Sequence, residues 1–385
     1  MRFIGVLSGI IILFTSCTPP KSIKPLTFGG EKYDSARSII KTKDGYVLAG
    51  MTVSFGVGHV NVYWLKISKW GKFIKQNTFG GKDDDRGFAV IEAPDNGFFI
   101  AGYTTSYGAG NNDIYLVRTD KDGNYKDSKV FGGPRMDSAS AICAADKGGY
   151  MIAGQSNSFS KGDYDAYIIR TDADGNCVWA KTYGGEGQDM AYTITAAGND
   201  RYIAAGESNS FSKKFPEMYV FMIDGKGNLI WSKTFGGGTY GRANSIVKTS
   251  GNDFIIAGER GSKDTSSDID LLRIDSMGNT EWEKTYGGPQ ADTPAQIIES
   301  KDGGFLIVGT TESGGNGMSD ILMLKTDNNG ELKWQRFYGG RQEDYAGGVV
   351  QDKDGGYVVA GWTHSFGAGD FDVYFFKTDS NGDIK

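Results

Sequence analysis

An all-β fold of seven equal units follows from two features of the sequence: a fixed period, and four short strand-like runs within each period. An aromatic residue followed by two glycines begins at Phe28, Phe79, Phe131, Tyr183, Phe235, Tyr286 and Tyr338, at intervals of 51 or 52 residues. Each interval holds four runs such as "ARSIIKT", "GYVLAGMT", "NVYWLKI" and "GKFIKQNTF", rich in β-branched and aromatic side chains and bounded by Gly, Asp or Asn. No stretch sustains helical periodicity. Four antiparallel strands repeated seven times at about 50 residues predict a seven-bladed β-propeller. One blade cannot bury both faces of its sheet, so it stacks on its neighbours around an axis.

The elements follow in chain order. The opening "MRFIGVLSGIIILFTSC" carries Arg2 and then an apolar run from Phe3 to Phe14. Twelve helical residues reach about 18 Å, short of a bilayer core of roughly 30 Å, so residues 1–16 read as a secretory signal. Residues 17–22 form a tether, and residues 23–385 a single propeller. The chain stops at "NGDIK", partway through the seventh outer strand, and "IKPLTFGG" near its start supplies the missing half. Residues 23–28 and 382–385 are expected to complete one strand and close the ring, which removes the open sheet edge.

Within each blade the innermost strand is expected to carry small side chains where blades converge. Ala36, Gly87, Ala139, Ala191, Ala243, Pro294 and Ala346 share that register. Segments such as "DADGN" and "DNNGE" read as hairpin turns that need positive φ. "TDADGN" at 171–176 also opens like a calcium-binding EF-hand loop, but lacks the twelfth-position glutamate and flanking helices. The aromatic before each glycine pair is expected to pack between blades, and the glycines to turn the chain back toward the axis.

Composition narrows the function. Glycine accounts for 58 of 385 residues, and the net charge is −6 with a pI near 5.2. No Lys/Arg-rich window and no phosphate loop is present, so nucleic acid is not expected as a partner. Cys143 and Cys177 fall on non-adjacent strands, beyond disulfide reach, and read as buried, reduced fillers.

Two resemblances add to this. "FTSC" resembles the lipobox of bacterial lipoproteins, which implies that Cys17 is lipidated and becomes the first residue; Thr18 in place of Asp implies the outer membrane. The units themselves resemble a bacterial family of short β-propeller repeats found in exported proteins, with the pattern GG-x3-D-x-A, DGGY-hydrophobic-AG, S-F-G-x-G-x2-D-x-Y and D-x2-G-N-x2-W over residues 28–385. The "GNxxW" strands at Trp179, Trp231, Trp282 and Trp334 are also loosely similar to quinoprotein propellers, one exported lipoprotein member of which assists outer-membrane barrel assembly. No activity carries over residue by residue.

Candidate chemistry lies on the face shared by two loop sets. One carries Asp34, Asp85, Asp137, Asp189, Asp292 and Asp344, with Gly241 breaking the series. The other carries Asn61, Asp113, Asp165, Glu217, Asp268, Asp320 and Asp372. Such acids suit calcium, but seven-fold repetition favours a structural role in which each carboxylate caps its own loop. His59 and His364 are weighed as zinc ligands and read as chance placements. Glu207 and Glu259 share a register position that suits an acid/base pair but read as exposed rim carboxylates. No nucleophile elbow, metalloprotease motif or arginine constellation argues for an enzyme, and no cofactor is expected. Blades four and five depart most from the repeat: Lys213, Lys214, Phe215, Tyr240, Arg242, Arg260 and Lys263 form a basic, aromatic-bearing patch expected to bind a partner. The expectation is a lipid-anchored, monomeric scaffold in the bacterial envelope whose partner is another envelope protein or a glycan.

Overall fold

The computed structural model describes residues 26–212, 214–261 and 266–385. They form seven four-stranded antiparallel sheets arranged as a β-propeller. Blade one runs Asp34–Lys41, Gly45–Thr52, Asn61–Ser68 and Phe73–Phe79 from axis to rim, and blades two to six repeat this order. Blade seven is Asp344–Gln351, Tyr357–Thr363 and Asp372–Thr378, completed at the rim by Leu26–Phe28 from the other end of the chain. Phe28 pairs with Val373 and Leu26 with Phe375, while Ile384 bridges Thr378 farther along the same strand. The rim strand is therefore built from both ends of the chain, as expected; residues 23–25 lie outside the described residues.

The hydrophobic core is seven seams rather than one centre, because every apolar cluster joins two neighbouring blades. Met151, Ile168 and Tyr183 of blade three pack on Ala191, Tyr202 and Phe221 of blade four. The Tyr183 ring stacks on Phe221 with centroids 5.0 Å apart, and its hydroxyl donates to the Gly227 carbonyl at 2.8 Å. Burying such a ring contributes about 2–3 kcal/mol. The outer-strand tryptophans add a second staple: Trp179 donates to Gly225 O at 3.1 Å, and Trp231 to Ser276 O at 3.2 Å, each in the hairpin of the next blade.

The glycine pair serves a purpose different from the one its repetition suggests. Of the fourteen glycines in the seven pairs, only Gly80, Gly236 and Gly237 adopt positive φ. What the first glycine needs is space. A Cβ on Gly132 would lie 1.9 Å from Asp113 Oδ1 and 2.9 Å from Asp137 Oδ2, and one on Gly29 would lie 2.0 Å from Asp372 Oδ1 and 2.8 Å from Asp34 Oδ2. The glycine is the slot in which two carboxylates from adjacent blades meet.

Each inner strand carries a β-bulge at one shared position, as between Ala36 and Ser38 and between Ala191 and Thr193. The extra residue is Arg37, Phe88, Ser140, Tyr192, Asn244, Ala295 or Gly347. A bulge re-aims a side chain, and here it sits on the strand that lines the axis. The expected small residues just before it, such as Ala36 and Ala139, are buried in the seams.

Candidate ligand site at the axial mouth

The loops from outer to inner strands and from second to third strands share one face, the upper face. There a backbone hydrogen bond ties each blade to the next: Asp34 N to Phe371 O at 2.7 Å, Asp137 N to Asn112 O at 2.8 Å, and Gly241 N to Pro216 O at 2.9 Å in the blade that lost its aspartate. The first set of acids is sealed into these seams. Asp34, Asp85, Asp137, Asp189, Asp292 and Asp344 are all buried. Asp34 Oδ2 accepts from Gly30 N at 2.7 Å and Ser54 Oγ at 2.6 Å, and Thr52 Oγ1 donates to its other oxygen. The same second-glycine N–H and serine hydroxyl serve Asp137, Asp189, Asp292 and Asp344.

The second set closes the neighbouring loops. Asp113 Oδ2 accepts from Ala109 N and Gly110 N at 2.9 and 3.0 Å, and Asp320 and Asp372 repeat this. Burial raises the carboxyl pKa values of Asp113, Asp165, Asp268, Asp320 and Asp372, and the facing aspartate of the next blade adds to the rise. The geometry assigns both sets to their own loops. Among the described residues no three His, Cys, Asp or Glu side chains are grouped as a metal would require. The "TDADGN" segment is a hairpin in which Asp172 Oδ1 accepts from Asp174 N and Asn176 N, both at 2.9 Å.

Inside this ring of acids lies the axial mouth, where the bulges and the strand positions beside them hold unrepeated side chains. On one side the Arg37 guanidinium stacks over the Trp362 ring at 3.9 Å, and Arg86 lies over Tyr103 at 5.7 Å. Burial pulls Arg37 below its ordinary value, opposed by the Tyr33 phenol beside it. On the other side Arg242 lies over Tyr192 at 4.2 Å. The Tyr192 hydroxyl donates to Glu207 Oε1 at 2.9 Å, and Asn244 Nδ2 donates to Glu259 Oε1 at 3.0 Å. Burial lowers Arg242, but Tyr192, Glu259 and Glu207 outweigh it and raise its pKa, so it is held charged. Among the described residues neither Arg37 nor Arg242 has a carboxylate within ion-pair distance, and Arg86 has only Asp84 at 3.6 Å. The Nε atoms of all three are buried with no acceptor. Arg118 Nε and the Oδ1 atoms of Asp85 and Asp137 are likewise buried without partners, but Arg118 is ion-paired to Asp95 and Asp174. What marks the mouth arginines is therefore an unpartnered donor together with few or no ion pairs.

The patch expected on blades four and five is divided by the structure. Tyr240 and Arg242 belong to the axial mouth. Lys214 is exposed and lies over its neighbour Phe215 at 4.9 Å. Arg260 turns away from the mouth, pairing with the buried Asp270 at 3.0 Å and with Glu283. Asp270 stands where blades one to four and seven have a tyrosine, so the pair substitutes for an aromatic contact such as Phe211–Tyr219, 5.4 Å between centroids. Lys213, Lys263 and Cys17 lie outside the described residues. Glu207 and Glu259 are not exposed rim acids: each accepts from a bulge residue, Tyr192 or Asn244, and Glu259 is buried. His59 bonds Asp84 of the next blade at 3.0 Å, and His364 bonds Glu343 of its own blade at 3.1 Å. Cys143 packs in a seam and burial pushes its thiol up to about 12; Cys177 is exposed, because its outer strand faces solvent there.

Arg37, Arg86, Tyr192 and Trp362 escaped sequence reasoning. Their signal was weak: Arg37, Arg86 and Tyr192 stand on inner strands and Trp362 on a second strand, at positions whose residue changes from blade to blade.

A family model described as a domain of unknown function (DUF5122) beta-propeller matches residues 93–124. No curated protein matches the chain. Among solved structures, a polysaccharide lyase of the PL25 ulvan lyase family bound to -[GlcA(1-4)Rha3S]- is similar at a TM-score of 0.64 and 9% identity, over 92% of this chain and 96% of that one. The WD40 domain of Neurospora crassa Pan2 is similar at 0.53 and 12% identity, over 88% of each chain. A protein of unknown function from Dyadobacter fermentans is similar at 0.51 and 14% identity, over 92% of this chain and 97% of that one. At these identities the likeness is one of fold, and the fold it supports is the seven-bladed β-propeller.

Proposed function

We propose that this chain is a lipid-anchored binding propeller of the bacterial envelope, tethered to the outer membrane through Cys17, and that its axial mouth takes up an acidic glycan. The observation that carries the reading is the set of three arginines, Arg37, Arg86 and Arg242, stacked on aromatic rings with buried Nε donors unpaired. Guanidinium forks match carboxylate and sulfate geometry. Aromatic faces suit sugar rings, and Asn244, Glu207 and Glu259 suit hydroxyls. The uronate- and sulfate-bearing ligand of the PL25 propeller supports the same ligand class on this architecture.

Calorimetric titration of defined polyuronate and sulfated oligosaccharides against neutral dextran fragments tests it. The acidic ligands should bind and weaken as salt rises; equal binding of neutral fragments, or none by any, contradicts the reading. A second reading, a protein-interaction scaffold, is favoured by Tyr107, Phe159 and Phe211, which stand 45%, 48% and 51% exposed in equivalent loops of three consecutive blades.

A further inference from the structure

Among the lower-face hairpins between third and outer strands, blade one departs from the other six, and it lies beside Leu26, the first described residue. In six blades the hairpin between third and outer strands begins with an aspartate, Asp120, Asp172, Asp224, Asp275, Asp327 or Asp379, whose carboxylate accepts the turn N–H groups. Blade one has "SKWGKFIK" at 68–75 instead, where Ser68 Oγ accepts from Trp70 N and Lys72 N. The acid is gone, Lys69, Trp70 and Lys72 take its surroundings, and the outer strand opens on two exposed apolar residues, as it does at Leu229 and Ile230 in blade four. Trp70 is 76% exposed, Phe73 51% and Ile74 47%. Lys69 lies over the Trp70 ring at 4.9 Å.

Leu26, the first described residue, packs on this hairpin: a Cβ on Gly71 would lie 2.6 Å from its Cδ1. The strand Leu26–Phe28 runs from the lower face toward the upper, so its first residue, Leu26, sits at the Trp70 side. Leu26 stands nine positions after Cys17, a reach of roughly 30 Å at full extension. Tryptophan belongs at the headgroup level, and lysines attract anionic lipid while their stems stay apolar.

We infer that the blade-one hairpin, Lys69, Trp70, Lys72, Phe73 and Ile74, seats in the interface of an anionic bilayer beside the lipid anchor. This rests on the lipid-anchored reading above. A single anchoring residue leaves a propeller free to swivel; a second contact beside Leu26 fixes its orientation, lower rim down, with the axial mouth turned away from the bilayer.

The test uses the full, processed protein reconstituted into phosphatidylglycerol-containing vesicles with brominated acyl chains. Trp70 should be quenched, so the quench should be lost in Trp70→Ala and reduced in Lys69→Glu/Lys72→Glu, with unchanged thermal melting in both. Equal quenching of wild type and Trp70→Ala overturns the inference. Fractionation of Cys17→Ser tests the anchor separately: its release, combined with an unquenched Trp70 in the wild type, removes the seating and leaves the anchor standing. Retention of processed Cys17→Ser removes the anchor, and Trp70-dependent quenching then still supports the seating.

Discussion

The seam and the axial mouth lie on the same face and use charged residues in opposite ways. At the seam, repetition in six blades places buried carboxylates against glycine N–H groups and serine hydroxyls. At least one oxygen of each acid is engaged by its own loop, although Oδ1 of Asp85, Asp137, Asp189 and Asp344 has no donor among the described residues. At the mouth, single blades place Arg37, Arg86 and Arg242 against aromatic faces, and their Nε donors are left without acceptors. The comparison teaches where to look in a repeat protein: what recurs in every blade holds the ring, and what departs from the repeat is free to meet a ligand.

The seam is the costlier place to disturb. Deleting residues 23–28 opens blade seven at its rim strand and exposes an apolar face. The melting temperature should drop further than for any single substitution in a seam or at the mouth, with aggregation and a retained β circular dichroism signal; unchanged melting would contradict the described ring closure. Gly132→Ala drives a methyl into the Asp113 and Asp137 carboxylates and should cost about 3 kcal/mol in denaturant unfolding. Asp113→Asn, in contrast, should change stability by less than about 1 kcal/mol. Blade one already carries Asn61 at that position, donating Nδ2 to Phe55 O at 3.2 Å and Gly58 O at 3.3 Å, and the substitution removes one of two facing carboxylates.

A pH series sharpens the same contrast. The raised carboxyl groups of Asp113, Asp165, Asp268, Asp320, Asp344 and Asp372 bind protons more tightly folded than unfolded. Their contribution is therefore full at low pH and lost as pH rises through their folded values. Asp352 has the opposite sign. Burial pushes it up, but Lys377, Lys41 and Tyr46 at the closing seam hold it down at about 2. Its contribution is present above the ordinary carboxylate value and lost as pH falls toward 2. The melting temperature should rise as pH falls from 7 toward the ordinary carboxylate value and drop as pH falls from there toward 2. Affinity at the arginine-lined mouth should stay flat over pH 5–8, since guanidinium groups keep their charge.

The period made the ring, its blade count and its closing strand legible, because Phe-Gly-Gly and the split rim strand are one-dimensional signals. Two things were not. The reason for the glycine pair lies in Asp113 and Asp137 of different blades meeting across Gly132, a contact that no local pattern reports. The site depends on a bulge, and an extra residue in a strand changes the facing of Arg37 and Tyr192 without altering composition. Arg242 was found by its departure from the repeat. Arg260 departs equally and is consumed by Asp270, so departure alone does not separate a free charge from a paired one.

That pair of arginines offers the most direct measurement. The affinity of an acidic oligosaccharide for the wild type, Arg242→Ala and Arg260→Ala should be compared by calorimetry alongside thermal melts. Loss of a charge-assisted bidentate contact of about 1.5–3 kcal/mol predicts roughly 10- to 100-fold weaker binding for Arg242→Ala with its melting temperature kept. Arg260→Ala should melt lower, since it strands Asp270, and bind as the wild type does. Equal affinity in Arg242→Ala and the wild type would contradict the assignment of the axial mouth as the ligand site.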